Sequence, residues 1–172
     1  MVEPSVKRTK IINDPSDLVP LLQVFNSKLH SQVFDELVKG WKTQAELEAI
    51  TGKDVTKSID SLRQGGLIEN RWRMPEPGKP PVMEYKTSYS EVRTNFQCTM
   101  LELSEIIMIA FSMDESLRKL AEDMEVEVEK GNASLLNLAR IFDKSPMYLK
   151  GVAKRSNRIT VKGQRIEVVK DR

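Results

Sequence analysis

The sequence predicts a mostly α-helical chain with small β-hairpins, an α+β class, and three observations carry that prediction. Apolar residues recur at helical spacing in several separate segments, as in Leu29, Val33, Phe34, Leu37 and Val38. Alternating runs flank turn signals twice: "GLIENRWRM" and "VMEYKTS" around the Pro- and Gly-rich "PEPGKPP", and "RITVKGQRIEVV" around Lys162 and Gly163. Two Thr-x-x-Glu capping boxes, Thr43 with Glu46 and Thr99 with Glu102, mark helix starts.

Elements follow in order from the N-terminus. Residues 1 to 13 read as a flexible start. In "NDPSDLVPLLQVF", Asp14 is a helix cap, Pro15 a first helical position and Pro20 a kink or later start. "SKLHSQVFDELVKG" is a core helix stopped by Gly40, with His30 beside its apolar set and therefore expected in solvent. "TQAELEAITG" is a short helix whose buried side is Leu47 and Ile50. Asp54 caps the next, where Val55, Ile59 and Leu62 share a face until Gly65 and Gly66 end it. Two short helices joined by a glycine-containing turn and followed by a hairpin make a winged helix-turn-helix, here over residues 14 to 100. Trp72 is expected in its core. The alternation of Val92, Thr94, Phe96 and Cys98 continues extended structure to about residue 99, with Cys98 a small buried hydrophobe.

Residues 101 to 172 read as a helical dimerisation or regulatory domain. "LELSEIIMIAFSM" is apolar on nearly every side, which in a chain this small calls for neighbours that include a second subunit. The acidic segment after Ser112 places Leu117, Leu120, Ala121, Met124 and Val128 on one stripe and its carboxylates in solvent. Ser134 then starts a helix with Leu138 and Ile141 inward, and Ser145 with Pro146 starts another to about Arg155. With the final hairpin this is a second helix-turn-helix-like unit.

Composition excludes several classes of function. The 172 residues are 40% hydrophobic and 30% charged, an ordinary globular balance, with neither a spanning apolar run nor a signal-peptide core, so a cytoplasmic protein without membrane contact is expected. Cys98 and His30 are the single members of their kinds, leaving no Cys/His zinc set and no Cys-His or Ser-His catalytic pair to build on. No acid, base and nucleophile converge and no phosphate-cradling loop is present, so neither enzyme activity nor a cofactor is expected. Net charge is +2, yet residues 1 to 100, 101 to 130 and 134 to 172 carry +1, −6 and +7. A basic end beside an acidic middle implies an anionic partner or docking between the two segments.

The motifs "TQAELEAITG", "KDVTKSIDSLRQGGLIE" and "SPMYLKGVAKRSNRITVKGQR" resemble the archaeal ArsR-type winged helix-turn-helix transcriptional regulators, over residues 14 to 168. The resemblance implies a homodimer that binds double-stranded DNA. Two departures qualify it: residues 54 to 65 make a short recognition helix, and the cysteine-containing metal-sensing motif is absent, so metal-controlled release is not carried over.

With Val55, Ile59 and Leu62 turned inward, Lys57, Asp60, Ser61 and Gln64 face outward, Thr56 lies at the margin and Lys53 precedes the helix. Lys57 suits a guanine edge, Gln64 an adenine edge and Asp60 a cytosine amine. Arg71 and Arg73 on the wing strand and Lys79 at the tip are candidate phosphate or minor-groove contacts, against the alternative that they are polar positions of a half-exposed hairpin. Lys150 and Lys154, one turn apart on an outward face, with Arg155, Arg158, Lys162 and Arg165 around them, form a candidate second phosphate-contacting patch. The competing view makes this segment a packing module. Two other functions compete: a winged-helix protein-interaction module, and an RNA-binding protein using the basic C-terminal segment. Operator, effector ligand and the sign of regulation are not encoded in any motif.

Overall fold

The computed structural model describes residues 8 to 170, in the order β1 (Thr9–Ile12), a 3-10 turn (Pro15–Asp17), α1 (Leu18–Phe25), α2 (Lys28–Lys39), β2 (Lys42–Thr43), α3 (Gln44–Thr51), α4 (Thr56–Gln64), β3 (Ile68–Arg73), β4 (Val82–Thr87), β5 (Glu91–Thr94), α5 (Met100–Phe111), α6 (Glu115–Glu129), α7 (Leu135–Phe142), α8 (Pro146–Arg155), β6 (Ile159–Lys162) and β7 (Arg165–Val168). Eight α-helices and three small sheets among the described residues make the α+β class that the sequence predicts. No helix among them is long and apolar enough to cross a membrane.

The described residues divide into two compact units, residues 8 to 11 with 24 to 94, and residues 12 to 23 with 95 to 170. This differs from the expected domains of 14 to 100 and 101 to 172. The segment from Ile12 to Gln23 packs with the C-terminal unit, where Val19 is fully buried. Of the expected flexible start, residues 1 to 7 lie outside the described residues, while Thr9–Ile12 form β1 against β5. Its pairing partner lies some eighty residues downstream, so local pattern does not reveal it.

In the first unit, α2, α3 and α4 pack on a three-stranded antiparallel sheet of order β2-β4-β3. Val33 and Leu37 of α2, Leu47 of α3, and Val55, Ile59 and Leu62 of α4 form the core. Ile50 is exposed, because eight residues of α3 offer only a narrow buried stripe. Trp72 is also exposed, and β5 ends at Thr94 rather than near residue 99. Cys98 is half-buried. Pro20 causes no break, since α1 begins at Leu18 and a first-turn residue needs no amide hydrogen.

In the second unit α8 is central, packed by α5, α6, α7, β6 and the 3-10 turn. Ile106, Ile109, Leu117, Met124, Leu135, Leu138, Leu149 and Val152 build its core. Gly151 lies on the contact with α5: a Cβ there would sit 2.9 Å from Ile109 Cδ1 and 3.3 Å from Ile106 Cδ1. Ile141, expected inward, is exposed on the far side of α7. The last hairpin pairs Lys162 with Arg165, so its two-residue turn is Gly163-Gln164 and not Lys162-Gly163, with Gly163 at φ 58° supplying the left-handed position.

Candidate nucleic-acid interface

Local chemistry explains how α3 and α4 are set in the first unit. Thr43 caps α3 reciprocally with Glu46, and Gly52, at φ 67°, turns the chain out of that helix. Asp54 then accepts from the Thr56 amide at 2.8 Å and from the Thr56 hydroxyl at 2.6 Å, starting α4. Gln44 Nε2 donates to Thr56 Oγ1 at 2.9 Å, so the first turns of the two helices are joined directly. Thr56 thus spends its hydroxyl on framework.

Val55, Ser58, Ile59 and Leu62 are buried, while Lys53, Thr56, Lys57 and Gln64 are exposed and Asp60 and Ser61 half-exposed. Asp60 is paired with Arg63 at 3.0 Å. Arg63 escapes the periodicity argument because its position lies only about 40° around the helix from buried Ile59, by the 100° step. Its length carries the guanidinium out to solvent regardless. His30, expected in solvent, is half-buried, and its Nδ1 lies 2.8 Å from Ser58 Oγ on α4. Burial pushes the imidazole pKa below its usual 6.5.

The hairpin β3–β4 separates two arginines that sequence treats alike. Glu84 is 4% exposed and accepts from Arg71 Nε and Arg73 Nε, both at 2.7 Å. Burial raises the Glu84 carboxyl, and the two guanidiniums outweigh it, holding it below the usual carboxylate range. Arg73 also donates through both terminal nitrogens to Glu46, at 2.7 and 2.9 Å. That contact is the first cause of a Glu46 pKa of about 2. Arg73 therefore ties the wing to the capping box of α3, with every nitrogen engaged. Arg71 instead lies over the Trp41 ring at 4.0 Å, anchored through Nε, with half of its side chain exposed. Lys79 at the tip pairs with Glu76 at 2.5 Å.

A family model, ArsR transcriptional regulator, matches residues 12–170. The chain belongs to the ArsR transcriptional regulator family. The match takes in both units of this ArsR regulator. No curated protein matches the chain.

The basic C-terminal residues of the ArsR chain do not form one open face. Lys150 and Lys154 point at the N-terminal 3-10 turn, where they meet Asp14 at 2.9 Å and Asp17 at 2.5 Å, instead of facing outward. Burial raises the Asp14 carboxyl, but Lys150, Ser16 and Lys154 together bring it down to about 2. Arg155 donates to the Ile109 carbonyl, closing the C-terminal end of α5. Arg158 meets Glu125 of the acidic α6 at 2.5 Å, and Lys162 meets Glu167 at 2.6 Å. Arg165 is exposed on β7. Docking between the acidic and basic segments is thus realised at Arg158, while the helix charges are drawn to Asp14 and Asp17, two acids far away in sequence.

Proposed function

We propose that this ArsR family member is a dimeric, sequence-specific regulator that binds double-stranded DNA through α4 and the wing, without metal sensing. The observation that carries the reading is the division of α4: one side is sealed into the core, and the other presents Lys57, Ser61 and Gln64 to solvent, flanked by Lys53 and Arg63. A helix so exposed fits the major groove, where Lys57 and Gln64 reach base edges. Asp60 has its charge compensated by Arg63, which eases its approach to phosphates. Arg71 is the wing contact, since stacking and the Glu84 bond pre-orient its terminal nitrogens, whereas Arg73 holds the wing in position. Lys79 at the tip adds a weaker, neutralised charge.

The second unit supplies the dimer. On α5, Leu101, Met108 and Phe111 are exposed and recur near helical spacing, an apolar surface suited to a second copy. The absence of metal sensing rests on the lone Cys98 and lone His30. RNA binding by the basic end is less favoured, because Lys150, Lys154, Arg158 and Lys162 already hold acidic partners.

Selection of bound duplexes from a random pool by the full chain tests this reading. An enriched motif with two-fold symmetry is expected. The K57A/Q64A double variant then relaxes the preference by roughly 1–3 kcal/mol per lost base contact. No enriched motif would overturn sequence-specific binding, and a monomer at micromolar concentration in sedimentation would overturn the dimer.

A further inference from the structure

The wing exposes an apolar end that the charge arrangement leaves unexplained. Trp72, near the far end of β3, is 64% exposed, Met74 just beyond it 88%, and Val82 at the start of β4 46%. Strand alternation puts Trp72 on the face opposite Arg71 and Arg73, and the ladder sets it across from Met83. The hairpin's root, by contrast, is fixed: Leu67 and Ile68 are buried, and the Leu67 amide donates to the Leu62 carbonyl of α4 at 3.0 Å. An indole is thus held in water on a ribbon anchored to the end of the helix assigned to the major groove.

We propose that Trp72 is a wedge that enters the minor groove beside the α4 contact, unstacks one base step and bends the duplex. This rests on the DNA-binding reading above. The five steps from the anchored Leu67 to Trp72 reach about 17 Å, and half a helical turn of duplex, the offset from major to neighbouring minor groove, is also about 17 Å. The wing's span therefore matches the occupant. Its area does not match a protein partner: Val82, across from Arg73, lies on the other face of the ribbon, and one indole beside the half-buried Met83 falls well short of the roughly 800 Å² per side of a stable protein interface. A wedge needs only one rigid ring, and apolar side chains entering the minor groove kink DNA by about 20–90° toward the major groove. With Arg73 and Lys79 neutralised by Glu46, Glu84 and Glu76, this wing contributes stacking more than charge. Flexible pyrimidine-purine steps are where such a wedge costs least.

The test uses the full chain and its selected duplex, with 2-aminopurine placed at successive positions flanking the α4 motif, together with bend-angle measurement by electrophoresis. Expected for the unaltered protein are a fluorescence rise confined to one step, preferentially TA or CA, and a measurable bend. Trp72→Ala loses both and binds roughly 5- to 150-fold more weakly, the range of one lost base stack. Its salt dependence stays unchanged, since indole neutralises no phosphate. Trp72→Phe retains the signal in part, which separates the ring from a folding defect. Equal bend and fluorescence in the unaltered protein and Trp72→Ala would overturn the wedge while leaving DNA binding intact. A Trp72→Ala chain that changes sedimentation but not bending would assign the face to a second copy and overturn it equally. If the unaltered protein binds no duplex, the parent reading falls and the wedge with it.

Discussion

His30 Nδ1 lies 2.8 Å from the Ser58 hydroxyl, joining the core helix α2 to the inner face of α4. The two partners are unequal: Ser58 is 0% exposed, while His30 is half-buried and can reach water. Removing His30 strands a buried hydroxyl, whereas removing Ser58 leaves an imidazole that can be hydrated. His30→Ala is therefore expected to lose about 1–3 kcal/mol and Ser58→Ala about 0.5–1.5 kcal/mol in urea unfolding. Equal losses would contradict the asymmetry.

The same histidine sets a pH dependence. Burial lowers its folded pKa below the 6.5 of the unfolded chain, so below pH 6.5 the unfolded state binds more protons and stability decreases as the pH is lowered. The contribution is complete above 6.5 and is lost as pH drops toward the folded value. Denaturant titrations between pH 7 and 5 should show a slope that His30→Gln reduces.

Glu46 adds a second, more acidic window. Its folded pKa of about 2, held down first by Arg73, lies below the ordinary 4.5. The stabilisation is present above 4.5 and is lost as pH falls toward 2. Arg73→Met should flatten acid unfolding over that range and lower the melting temperature at pH 7. Arg71→Ala removes one of the two guanidiniums on Glu84 and leaves the Glu46 contact intact, so it should change acid unfolding less than Arg73→Met does, and it should reduce the salt slope of duplex binding by about 0.9, one phosphate's worth. If both variants changed the salt slope alike, the division of labour between the two arginines would be wrong.

Lys150 and Lys154 discriminate between scaffold and second reading head. Because Asp14 and Asp17 hold them, K150Q/K154Q should leave the salt slope of duplex binding unchanged and destabilise the protein. Two phosphate contacts would instead remove about 1.8 from that slope.

Gly151 tests the packing beneath those lysines. Alanine gains about 1 kcal/mol of helix propensity, and the 2.9 Å approach to Ile109 Cδ1 requires the end of that side chain to shift. Gly151→Ala should be near neutral, and Gly151→Leu should lose about 1–3 kcal/mol or more by overpacking. Thermal melts of the two variants against the parent would read the difference.

Local chemistry is where the sequence was most legible. The capping boxes of α3 and α5, the Ser145-Pro146 start of α8, the buried Val55, Ile59 and Leu62, and the β3–β4 hairpin depend on neighbours within a few residues, so spacing alone determined them. The outward placement of Lys57 and Gln64 follows from the same 3.6-residue period. Residue spacing does not reach partners that come from afar. Only the fold brought Asp14 and Asp17 under Lys150 and Lys154, paired β1 with β5, and gave Arg71 a tryptophan while giving Arg73 two carboxylates. Trp72 shows the limit in reverse: hydropathy assigns an indole to the core, but a two-stranded ribbon near its tip has no second layer to cover it. The sequence by itself determined which helices form and which face of α4 is apolar, because those are local energies. Which charges are spent inside the molecule, and which ring is left in water, was decided by tertiary contact, because an ion pair or a buried face needs a partner that the local pattern cannot name.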